Sequence, residues 1–131
     1  MVMNYGAARG GNWDVVEEAH AKGVGVKVIF ETSQLDDAQI RKGTEVCIAA
    51  GADFVKTSTG FNGDSATVES VKAMIETSKG RIKVKPSGGI RSFKTAKMYV
   101  DMGADRLGVG YTSCKPICED GEYLSGELLS P

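Results

Sequence analysis

The sequence is short of the side chains that mark several protein classes. It holds three cysteines in 131 residues, too few for the disulfide framework of a small secreted domain. Cys47 falls within a helical pattern, where a buried thiol is the ordinary reading, while Cys114 and Cys118 stand without a second ligand pair, so no zinc site is expected. The single histidine, His20, has no acidic or cysteine neighbour at ligand spacing and reads as a surface or capping residue. Charge of one sign is also lacking: sixteen basic and seventeen acidic residues leave a formal net charge of −1, which gives no electrostatic reason to expect nucleic acid or a membrane surface as a partner. No apolar run approaches the length of a membrane span, and no basic segment followed by an apolar stretch opens the chain, so it reads as cytoplasmic. With 41% hydrophobic residues, the length suits one core and one domain.

What is present is an alternation. Short β-branched runs at residues 1–5, 24–31, 54–59, 82–85 and 106–110 predict strands, each bounded by glycine or polar turn residues. Helical patterns lie between them. Residues 36–50 set Ile40, Cys47 and Ile48 on one side; residues 67–77 set Val68, Val71 and Ile75 at helical spacing. A further helix follows Ser92 as its cap, with Phe93, Ala96 and Val100 inward and Gly103 as its stop, and a short one spans 13–21, with Trp13 read as core. Strand and helix in this order are the pattern of parallel βα units. Gly51-Ala52-Asp53 and Gly103-Ala104-Asp105 repeat the same joint from helix to strand. Such joints suit a partial (β/α)8 barrel of about five strands, although a doubly wound sheet uses similar ones.

Strand alternation then places two lysines. Val55, Ile82 and Val84 are expected against the helices, which turns Lys56 and Lys85 inward, near the C-terminal strand ends where sites of this architecture sit. An ammonium desolvated beside another cation loses its proton more readily, and the free amine can attack a carbonyl to form a Schiff base. A solvated strand edge is the plain alternative. After the lysine strand come Pro86-Ser87-Gly88-Gly89-Ile90-Arg91-Ser92, a glycine turn leading to a helix and suited to cradling an anion, and Gly108-Val109-Gly110 offers a second such turn. Arg91 reads either as an anion contact or as an exposed first-turn residue. Glu31 and Thr32 close their strand, with a place at the mouth of the site and a structural role both open.

VKVIFET (26–32), GADFVKTSTGF (51–61), VKPSGGIRS (84–92) and GADRLG (103–108) together closely resemble deoxyribose-phosphate aldolase, a class I aldolase of the (β/α)8 barrel fold. The resemblance implies that Lys56 forms the Schiff base with acetaldehyde, which adds to glyceraldehyde 3-phosphate, and that Lys85 lowers the pKa of Lys56. It implies a phosphate site at Gly88, Gly89 and the segment around Gly110, with no metal or organic cofactor; Thr57, Arg91 and Gly108 are the further candidate substrate or phosphate contacts. Only about half the barrel is matched, starting in the equivalent of the fourth strand. The proton-relay aspartate of that strand falls outside the chain, and Gly110 and Tyr111 stand where two phosphate-binding serines are expected. The sequence therefore predicts a partial barrel over 1–112 and a loosely ordered tail over 113–131. The open sheet edges predict self-association, with a homodimer favoured by symmetry. A weak aldolase and a non-catalytic homologue, binding phosphosugar or serving as an assembly subunit, both remain open.

Overall fold

The structure is a computed structural model that describes residues 11–61 and 65–128. Among these residues three parallel strands pair in chain order: β1 (Lys27–Ile29), β2 (Phe54–Lys56) and β3 (Lys83–Lys85). Helices α1 (Gly11–Ala21), α2 (Asp37–Ala49), α3 (Val68–Ser78), α4 (Phe93–Asp101) and α5 (Tyr111–Leu128) precede, separate and follow them. The first expected strand, residues 1–5, lies outside the described residues.

The helices start where local chemistry satisfies their free N–H groups. Asp36 and Thr67 open α2 and α3 with reciprocal capping boxes through Gln39 and Ser70, and Ser92 caps α4 by accepting from the Thr95 N–H. At its other end α4 meets Gly103, whose φ of +107° is closed to most side chains.

Strand pleating sorts the side chains by face. Val28, Val55, Val84 and Ile82 pack outward into a core with Ile40, Cys47, Ala73 and Met74. Burial of Cys47 pushes its thiol pKa up to about 12, which leaves it an inert core residue. A second cluster joins Val71, Ile90, Ala96 and Tyr99 to Leu107, Val109 and Ile117.

Two expectations are corrected. Val68 and Val100 are exposed, and Met74 and Tyr99 take the buried places on those helices; Tyr99 can do so because its hydroxyl donates to the Ala66 carbonyl at 2.9 Å. Residues 106–110 make a single parallel bridge, Ser87 to Gly108, instead of a strand, since glycines at 108 and 110 give a ladder no side chains to pack. Helix α5 runs on to Leu128; Ile117 packs on the second cluster and Lys115 pairs with Glu119 one turn on, at 3.6 Å.

The repeated helix-to-strand joints do the same work twice. Asp53 accepts the Val26 N–H on its carboxylate at 2.6 Å and returns its own N–H to the Val26 carbonyl at 2.9 Å. Asp105 holds Val84 in the same two-way grip, at 2.9 and 3.0 Å. His20, read as a surface or capping residue with no acidic neighbour at ligand spacing, lies at the surface and bonds to Asp53, 33 residues away, at 2.8 Å.

Candidate active site

The inner face of the sheet is built in two rows by the strand register. Lys27, Phe54 and Lys83 stand side by side in the first row; Ile29, Lys56 and Lys85 form the next, toward the C-terminal ends. Adjacent strands are ~4.8 Å apart, so Lys56 and Lys85 are neighbours by construction. In the first row the Phe54 ring carries three cations, with Lys27, Lys83 and Arg106 at 5.6, 5.4 and 5.0 Å from its centroid. None of the six row residues is acidic.

This cationic surround acts on Lys85. Burial, first, and then Lys27, Lys56 and Arg106 hold its pKa below the ordinary lysine value. Sequence reasoning had paired Lys56 with Lys85 but missed Lys27 and Arg106 as the further charges. The same alternation in VKVIF turns Lys27 inward, so that signal was present; Arg106 enters from an irregular segment and left none.

Above the second row opens a cleft of about 760 Å³. Lys56 and Lys85 lie in its floor, and Gly88, Gly89, Arg91, Gly108 and Gly110 line its walls, so seven of the eight sequence-picked residues converge. Gly88 and Gly89 adopt φ of +93° and +72°, and a Cβ on Gly89 would come within 2.7 Å of Ser65 Oγ. The glycines are therefore needed for the shape of the wall. Thr59, Gly60 and Phe61 add the loop after β2, and residues 111–113 add the first turn of α5, a rim of which the sequence reading had placed only Tyr111.

Thr57 is the exception. It is wholly buried on the side of Val55, and its hydroxyl donates to the Ser87 carbonyl and accepts from the Ser87 N–H, both at 3.0 Å. Strand alternation turns it away from the cleft, so it braces the wall instead of lining it.

The chain matches the model of the DeoC/LacD family aldolases over residues 15–118. The chain belongs to that family. Deoxyribose-phosphate aldolase of Desulfitobacterium hafniense is 48% identical over 116 residues, covering 82% of the chain and 53% of the relative. That of Staphylococcus carnosus is 48% identical over 131 residues, covering 94% and 60%. Among solved structures, the aldolase QR15 superposes with a TM-score of 0.77 at 43% identity, covering 99% of this chain and 60% of that one. The tetrameric deoxyribose phosphate aldolase of Aeropyrum pernix gives 0.76 at 34% identity, covering 86% and 48%. This family member thus spans about half the length of the curated relatives it matches, and its three strands and their helices are part of a TIM barrel.

Proposed function

We propose that this chain carries the Schiff-base half of an aldolase site, acting on 2-deoxyribose 5-phosphate in reversible cleavage to acetaldehyde and glyceraldehyde 3-phosphate. The observation that carries the reading is the register that seats Lys56 beside Lys85 on the floor of one cleft. In the synthetic direction the Lys56 amine adds to the acetaldehyde carbonyl and water leaves, giving an iminium ion. Loss of a proton from its methyl carbon gives an enamine, which forms the new carbon–carbon bond to glyceraldehyde 3-phosphate; water then releases the product and the free amine. Lys85, whose proton is held less tightly than that of an ordinary lysine, is placed to tune Lys56 and to exchange protons with it. Gly88, Gly89, Gly108 and Gly110 let backbone approach the phosphate, and Arg91 adds charge at the rim. Thr57 contributes by bracing.

Self-association belongs to this proposal. Among the described residues β1 is an open sheet edge, and the inner rows repel a like-charged copy, so two chains meet edge to edge and not face to face. A non-catalytic role is the second reading, favoured by Tyr111, 90% exposed at the cleft rim.

The test is mass spectrometry after incubation with acetaldehyde and borohydride. The expected result is a reduced ethyl adduct of about 28 Da on Lys56, weakened by Lys85→Met. Adducts spread over surface lysines, with Lys56 no faster, would refute the catalytic reading and leave the second one.

A further inference from the structure

Only two non-glycine residues among those described have positive φ. Lys79 is the C-cap of α3, an ordinary place for the left-handed conformation. Glu31 has no such excuse. It follows β1 with φ 53° and ψ 65°, a region that costs a side-chain-bearing residue energy that glycine would not spend. On either side of it the backbone stays tied to β2: the Phe30 N–H donates to the Lys56 carbonyl at 3.0 Å and the Thr32 N–H to the Thr57 carbonyl at 3.1 Å. Across this twist the Glu31 carboxylate accepts the N–H of Thr59 at 2.5 Å, 28 residues away.

The loop it grips matters. Thr59, Gly60 and Phe61 line the cleft three to five residues after Lys56. A charge-assisted bond from a strained neighbour is a way to fix a loop that lacks ladder partners. We infer that Glu31 is a positioning residue, which through the Thr59 N–H holds the loop after β2 in the shape that presents Lys56 to a carbonyl compound. The inference rests on the Schiff-base reading of Lys56 and adds to it a residue that does not touch the reacting atoms.

The test compares the full chain with Glu31→Gln, Glu31→Ala and Glu31→Gly in three measurements: the rate of borohydride-trapped acetaldehyde adduct on Lys56, the exchange rate of the Thr59 amide hydrogen, and the thermal midpoint. Gln keeps an acceptor oxygen and is expected to trap within a few-fold of the parent. Ala and Gly lose the grip, so Thr59 exchanges faster and trapping falls about 10-fold or more, as small misplacements do. Gly also relieves the φ strain, so its midpoint stays above that of Ala while its trapping stays low, a split that a merely structural residue does not produce. Equal trapping in all four proteins, trapping losses that only follow the midpoints, or an unchanged Thr59 amide in Ala each overturn the positioning role and leave Lys56 chemistry standing. Absence of a Lys56 adduct in the parent overturns both.

Discussion

Gly108→Ala offers a demanding check on the cleft wall. A Cβ at residue 108 would lie 2.6 Å from Ser87 Cβ, closer still to Ser87 Oγ, and 3.3 Å from Lys85 Cε. Carbon atoms at rest sit about 3.5–4.0 Å apart, so the segment must retreat by about 1 Å. Retreat breaks the bond from the Gly108 N–H to the Pro86 carbonyl, 2.7 Å long, and with it the Ser87 to Gly108 bridge. Overpacking costs about 1–3 kcal/mol and the lost hydrogen bond about 1 kcal/mol, a sum of about 2–4 kcal/mol. With a urea slope of about 2 kcal/mol/M the unfolding midpoint falls by about 1–2 M. Ser87→Gly in the same chain removes both serine atoms from the clash but keeps the main-chain bonds to Thr57, so the double variant recovers most of the loss. A Gly108→Ala midpoint equal to that of the parent, or a double variant no better than the sum of the two single ones, refutes the reasoning.

Two further outcomes follow from other parts of the fold. The Asp53 carboxyl is held below its usual pKa, first by His20 and then by the Val26 N–H; a lowered folded value means stability that is complete above about pH 4 and drains away as pH falls through the folded pKa. Asp53→Asn is expected to flatten that acid limb in urea titrations at pH 5 and pH 3, modestly because the side chain is 41% exposed, and a limb of unchanged depth would count against the assignment. Met74→Ala, at a site wholly buried on the helix side of the sheet, is expected to cost about 2–5 kcal/mol with no change in acetaldehyde trapping per folded molecule; a loss under about 1 kcal/mol would contradict the packing described.

What could be read from the sequence was what depends on period. Alternation in FVK and IKVK put Val55 and Val84 against helices and Lys56 and Lys85 on the inner face, as the structure has them. The same alternation turns Thr57 outward, where its hydroxyl meets the Ser87 backbone. Helix faces were read less well, because a periodic pattern leaves the phase to tertiary contact: Tyr99 is buried by virtue of an acceptor 33 residues away, which no local window contains. Helix α5 was hidden by its own composition, with Pro116, glycines and serines, and is tied down by Ile117 against the second cluster. Glu31 was legible only as a strand-end residue with a site role and a structural role both open, since a left-handed glutamate is a property of the strand ends around it.

The paired grips of Asp53 on Val26 and of Asp105 on Val84 have a consequence for alignment. Asp53, one residue ahead of β2, fixes that strand against the start of β1, and Asp105 fixes the segment carrying Gly108 against β3, so each alignment is set by a bond local to the joint and needs no closed ring to enforce it. The height of Lys56 on the sheet is thus written into the joint that precedes its strand.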